Sequence, residues 1–345
     1  MLRTSFIRYA ITSIFILLFI LTRGTFSPAK AQSNIPAELQ HQLKSLKREN
    51  YFDEALRLIE TFLDTLQDQD NYRKEFEATL MMADIHRMKG QFQQSEYLLD
   101  SMRTSQTMRL ISQEYDPLLA QFHVVQGTLH LTRGELKKGH SSIEKAVRIY
   151  SGRIGQEDTL LAPCYNKLGN YYFFTKNFDS AMYWYKRALN ICDKKKDALE
   201  DRSSYLQNIG IIHLENFEYQ QAETYFLESL RLKEILFSSN SFSLGRLYLN
   251  LGKFYQDISA LDKALIYITK AEKIYLLNKN PASLELASIY WNKGLIYYLT
   301  GDSESAITFL FNAKQIIDSV FSENQNLLAS LNSDIANVYR YTGQY

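Results

Sequence analysis

The sequence predicts an all-α protein, a solenoid of stacked antiparallel helix pairs, on three observations. One motif recurs about every 42 residues over nearly all of the chain after its first 40 residues. A small residue marks most copies: Ala83, Gly127, Gly169, Gly210, Gly252, Gly294 and Ala336, with Leu43 at that place in the divergent first copy. These anchors lie 40, 44, 42, 41, 42, 42 and 42 residues apart. Within each copy the apolar spacing is helical, since Ala181, Tyr185 and Ala188 fall at i, i+4 and i+7, one stripe of a helix. Self-similarity at a fixed period decides the architecture ahead of any local motif.

The N-terminus comes first. Arg3 and Arg8 precede an apolar run from Ala10 to Leu21, and Pro28 precedes the small-x-small triplet Ala29-Lys30-Ala31. A basic start, a short apolar stretch and such a triplet make a secretory signal, which places a signal peptide at 1–31. The run is short of the roughly 20 residues that span a bilayer. An uncleaved membrane anchor is the runner-up, and contact with a membrane is expected only in that case. A linker at 32–37 follows, then the array at 38–345, about eight units with the last one truncated.

Each copy repeats one internal order. Seven residues past the anchor lies a turn, at Gly90, Gly134, Lys176, Gly301 and Gly343. Glycine there takes the left-handed conformation that stops a helix. Two residues later comes an aromatic or aliphatic side chain: Phe52, Phe92, Leu136, Phe178, Tyr219, Leu261 and Tyr345. A small residue then opens the face of the second helix: Ala55, Ser95, Gly139, Ala181, Ala222, Ala264 and Ala306. Small residues on both helices let the axes approach, and Tyr165, Leu168, Tyr172 and Phe178 fill the space between copies. A single copy buries too few side chains to fold alone, so stacking must supply the rest. In the seventh copy, Asn280 followed by Pro281 predicts an N-cap and a first helix from Pro281 to about Leu299.

These positions resemble those of the tetratricopeptide repeat, in its long, 42-residue, kinesin-light-chain-like variety. The resemblance covers residues 38–345 and departs at Lys293 and Ser303, where apolar residues are usual, and at His86, His130 and His213. It implies a right-handed superhelix of about sixteen helices. A signal segment followed by such an array, rich in Tyr and Asn, is also similar to the repeat region of CHAT-domain proteins of Bacteroidetes-type bacteria. The final copy stops in mid-motif at Tyr345, which makes the chain a fragment of a longer protein on this reading.

The first helices of such arrays line a concave groove. Asn208, Asn250 and Asn292 each lie two residues before their anchor, and Asn166 lies three before its own. An amide offers a donor and acceptors, so it can pair with a peptide backbone of any sequence. The resemblance implies that role for Asn208, Asn250 and Asn292. Arg246, Lys253, Trp291, Tyr298 and Phe173 are further groove candidates, suited to anchor an acidic or aromatic side chain. The alternative is that the asparagines pair with adjacent helices and Trp291 packs between copies. Cys164 and Cys192, the two cysteines, sit at ends of antiparallel helices of one copy. In an oxidising compartment they can bridge; in separate packing niches they stay free thiols.

Several function classes drop out. Loss of residues 1–31 removes four bases and no acid, leaving 35 bases against 38 acids and a net charge of −3. That leaves no basic excess for nucleic acid. The densest basic run, Lys194-Lys195-Lys196, is flanked by Asp193 and Asp197 and reads as a solvated helix end. His123 and His130 lack a third ligand at metal spacing and fall on packing positions. No nucleotide, zinc-protease or serine-hydrolase motif is present, so the chain is expected to work without catalysis, cofactor or metal. The sequence therefore predicts a protein- or peptide-binding scaffold in the periplasm or outside the cell. Its alternative is the sensor array of a longer protein whose effector, a CHAT-type cysteine protease or a transmembrane signalling kinase or regulator, lies beyond residue 345.

Overall fold

A computed structural model of the chain describes residues 35–342, apart from 49–50, 67–70, 114–115, 155–159, 195–197, 278–283 and 321–324. The predicted signal peptide lies outside the described residues, as do Asn280, Pro281, Lys195, Lys196, Gly343 and Tyr345. The described residues form sixteen helices and no strand. They fall into two compact units, 35–212 and 213–342.

The first unit opens with α1 (Ala37–Arg48) and α2 (Phe52–Asp64), then α3 (Tyr72–Met88) and α4 (Phe92–Arg103). A short α5 (Gln106–Gln113) precedes α6 (Pro117–Thr132) and α7 (Leu136–Ile154). α8 (Leu161–Phe174) pairs with α9 (Phe178–Asp193), and the unit boundary falls inside α10 (Leu199–Glu215). The second unit continues with α11 (Tyr219–Leu236), α12 (Phe242–Asp257), α13 (Leu261–Leu277), α14 (Leu284–Thr300), α15 (Ser303–Val320) and α16 (Gln325–Thr342). Phe52, Phe92, Leu136, Phe178, Tyr219 and Leu261 are the first residues of second helices, as the repeat pattern predicts. α5 was not foreseen. It occupies the long step of 44 residues between Ala83 and Gly127 and packs on α3, α4 and α6 through Met108 and Ile111.

The anchors work by contact. A Cβ added to Gly169 would lie 2.4 Å from Cε1 of Tyr185. One added to Gly252 would meet Ile268 at 2.4 Å, and one added to Gly294 would meet Leu310 at 2.7 Å. Gly127 stands in the same relation to Ile143 at 2.8 Å. Each of these knobs lies four residues past the small residue of its second helix and is fully buried. Ile59, Leu99 and Phe226 hold the same place, and all are buried. Where that small residue is Ser95, its hydroxyl donates to the carbonyl of the anchor Ala83 at 2.8 Å.

The turn after each first helix is left-handed in six copies. Gly90, Gly134 and Gly301 have φ of 84°, 78° and 87°, and Lys176, Phe217 and Ser259 take φ of 61°, 64° and 61° at the same place. The repeat thus imposes the conformation even where the residue resists it. Some helix starts are capped by a side chain. Asp116 accepts from the Leu118 amide at 2.8 Å ahead of Pro117, Asn177 accepts from the Ser180 amide at 3.1 Å, and Ser241 accepts from the Leu244 amide at 3.3 Å.

α2, α4, α7, α11, α13 and α15 each pack on the next first helix, and first helices also touch one another, α3 to α6 to α8 in one unit and α12 to α14 to α16 in the other. The first helices therefore form one layer in each unit and the second helices the other. The departures from the repeat are accommodated in place. Lys293 pairs with Glu272 at 2.7 Å, and His86 and His130 bond Gln91 and Glu135 across their turns at 2.7 and 3.0 Å. His213 bonds Glu218 in the same way.

Two substitutions test this account. Gly169→Ala is expected to lower stability by about 1–3 kcal/mol in urea unfolding, because Tyr185 has no room to retreat. Ser259→Gly is expected to raise stability by about 0.5–1 kcal/mol, since glycine removes the left-handed strain at some entropic cost.

Candidate functional site

The layer of first helices carries the candidate site. On the first unit, Asn166 of α8 and Asn208 of α10 are buried side by side, and the Asn208 amide donates to the Asn166 carbonyl oxygen at 2.7 Å. The remaining asparagines belong to the second unit. Asn250 is half-buried on α12. Asn292 is buried on α14 and donates to the Ser288 carbonyl at 2.5 Å, while its own Oδ1 has no hydrogen-bond partner. Trp291 is 1% exposed, and its Nε1 donates to Asp334 of α16 at 2.8 Å. Burial pushes that carboxyl up to about 6, against the Trp291 hydrogen bond. Trp291 thus packs between copies.

Tyr298 is half-buried and meets Tyr341 edge to face at 5.6 Å. Phe173 is buried with Phe174 and Phe178 at the turn between α8 and α9. Lys253 is buried on α12, and burial pulls its ammonium down to about 7 against the opposing pull of Asp257. Arg246 is half-buried on the same helix. Cys164 and Cys192 are buried and not joined by a disulfide; they lie in one apolar cluster with Tyr205, and burial pushes the Cys164 thiol up to about 12. His123 is in contact with Phe122, and burial lowers its pKa to about 4, which fits a packing role.

The repeat comparison missed a network of charges on the first unit's first helices. Asp84 of α3 accepts from Lys47 of α1 at 2.9 Å and from two nitrogens of Arg87 at 2.7 and 3.0 Å. Burial alone raises the Asp84 pKa, but Lys47 and Arg87 hold the carboxyl well below the usual carboxylate range. Arg48 of α1 donates twice to Glu200 of α10, at 2.5 and 3.1 Å, with Lys44 at 3.6 Å from the same oxygen. A readable signal existed: Lys44 and Lys47 lie one and four residues past Leu43, and Asp84 and Arg87 lie one and four past Ala83. Charge at those inward places in the first two copies marks the network.

Two hollows adjoin it. The larger is about 240 Å³, with Leu43, Leu80, Met81, Ile85 and Val125 among its apolar walls and Lys44, Lys47, Glu77 and Gln121 among its polar ones. The smaller is about 30 Å³ and is lined by Arg87, Asn166, Lys167, Asp201 and Tyr205 among others. Asp84 and Val125 line both. Burial, then the adjacent Glu200 carboxylate, push Asp201 up to about 7, against the pull of Lys44 and Lys167. The Tyr205 hydroxyl is buried without a hydrogen-bond partner. An apolar pocket with a few convergent polar groups is the usual form of a ligand site.

Asp84→Ala leaves Lys47 and the buried Arg87 uncompensated and is expected to cost about 3–5 kcal/mol in urea unfolding. Asp201 gives a pH test. An acid with a raised folded pKa holds its proton better when folded, so its contribution is full below the ordinary value of 3.8 and fades as pH rises through about 7. Wild type should therefore lose stability relative to Asp201→Asn between about pH 4 and pH 7. Parallel urea curves for the two proteins would refute the assignment.

Two family profiles, both of the tetratricopeptide repeat, match this chain, one at residues 161–194 and 202–242 and the other at 287–314. A curated TPR repeat-containing protein of Dictyostelium discoideum is 30% identical over 130 residues, 36% of this chain. The chain spans 8% of the length of that relative. Among solved structures it is similar to a signal transduction ATPase with numerous domains (STAND) that has a tetratricopeptide repeat sensor, from Pyrococcus horikoshii. That likeness has 18% identity and a TM-score of 0.60 and covers 95% of this chain and 49% of that one. A Rap protein complexed with competence and sporulation factor is similar at 15% identity and a TM-score of 0.59, covering 88% and 86%. A putative kinesin light chain of Podosopora anserina with nearly identical TPR-like repeats matches at 14% identity and a TM-score of 0.47, covering 59% and 98%. Motif, helix pairing and family profiles agree: the chain carries tetratricopeptide repeats.

Proposed function

We propose that this chain is an exported protein- and peptide-binding scaffold whose ligand lies along the first helices of residues 35–212. The observation that carries the reading is the pair of adjoining hollows there, both walled mostly by apolar surface with a few polar groups converging on them. A side chain buried in the larger hollow supplies affinity, and the polar groups of the smaller one fix orientation. The asparagines contribute through Asn166 and Asn208, which already share a hydrogen bond and present one amide pair to a backbone. The Rap protein with its bound factor supports the reading as a case of this fold holding a ligand. Export rests on the basic, apolar and small-residue pattern of residues 1–31. Among the described residues no helix is long and apolar enough to cross a membrane.

A random peptide library panned against the full mature chain tests the binding claim. Selected peptides should lose about tenfold or more in affinity by calorimetry when Met81→Trp fills the larger hollow, and should crosslink to α1, α3 or α6. Equal binding by that variant, with crosslinks on the second helices, would refute it. Mass spectrometry of the exported chain should find an N-terminus at Gln32. A second reading, a sensor array within a longer protein, is supported by the STAND protein with its tetratricopeptide repeat sensor. An effector domain encoded downstream of residue 345 is the result it requires.

A further inference from the structure

Repeat arrays are held together by contacts between adjacent copies. The first unit contains a bridge that skips three of them. Arg48 stands on α1, in the first copy, and Glu200 on α10, in the fifth, 152 positions along the chain. Both donors of Arg48 reach one oxygen of Glu200, and Lys44 approaches the same oxygen. The bridge adjoins both hollows. Lys44 lines the larger hollow, and Asp201, the residue after Glu200, lines the smaller.

We infer that Arg48, Lys44 and Glu200 form a latch, an ionic clasp between α1 and α10 that keeps the inner hollow of residues 35–212 narrow and must part for a ligand to seat fully. The inference rests on reading that hollow as the binding surface. The exposure of the three side chains suits a clasp that exchanges. Glu200 is 14% exposed, Arg48 30% and Lys44 38%, so water reaches the pair as it parts. A fully buried pair such as Arg87 with Asp84 is built to stay shut, because separating it strands two charges away from water. The Arg48–Glu200 pair, more exposed than Arg87–Asp84, carries a smaller penalty, and a weaker pair is one whose balance a ligand can shift. The fixed pair and the clasp thus occupy one wall with different duties: the first ties α3 internally and to α1 through Lys47, and the second spans from α1 to α10.

The test uses the full mature chain. Spin labels at Ser45→Cys on α1 and Lys194→Cys at the end of α9 report the spacing across the clasp, while the native thiols are buried and stay unlabelled. The latch predicts a narrow distance distribution that broadens and lengthens in Glu200→Gln and in high salt. The reversed set, Lys44→Glu and Arg48→Glu with Glu200→Arg, should restore the narrow distribution. That set also guards against a single variant that misfolds. The dye 8-anilinonaphthalene-1-sulfonate serves as probe for access. Its affinity should rise about threefold in Glu200→Gln and return with the reversed set. Met81→Trp should abolish the gain. Unchanged distances and dye affinity in Glu200→Gln would overturn the latch. If both respond while library-selected peptides bind Glu200→Gln no better than wild type, the clasp exists but the hollow is not the peptide surface, and the reading under Proposed function falls instead.

Discussion

One contact recurs through this molecule and much else is arranged around it: in copy after copy the middle residue of the second helix rests on the small anchor of its own first helix. Tyr185 on Gly169, Ile268 on Gly252 and Leu310 on Gly294 are three instances. The contact sets how closely two axes approach, and so how much apolar surface the pair hides between itself and the next pair. A large side chain needs the absence of one opposite, which is why the sequence spends glycine and alanine inside helices where propensity alone disfavours glycine. The knob varies freely among Ile, Leu, Tyr and Phe, whereas the seat does not.

Most of the fold was legible because the constraint repeats. Six second helices begin at the residue that the period points to. The left-handed turn was legible as well, although Phe217 and Ser259 show why composition alone misses it: their conformation is set by the helices on either side, not by their own preference. α5 was hidden for the opposite reason. It occurs once, so no register repeats it, and it shows in the sequence only as a step of 44.

The candidate site was less legible. A row of asparagines at one repeat position suggests a common role, yet each responds to its own neighbours. Asn208 bonds Asn166, and Asn292 bonds its own helix at Ser288. Trp291 is spent on Asp334. The charges in and beside the first unit's hollows pair across long stretches of sequence, as with Lys47 and Asp84 or Arg48 and Glu200, and no spacing rule reports such a partnership. Function in a repeat protein lies in what departs from the repeat, and departures are what a periodic reading averages away.

The short α5 carries one more implication. It lodges at a joint between two pairs and packs on α3, α4 and α6, while Ile143 keeps its seat on Gly127 in the pair that follows. Joints in such an array therefore accept extra chain where hairpin interiors cannot. A lineage that needed a different bend or breadth in its binding wall had room to add or delete a spare turn between units, without renegotiating any internal packing.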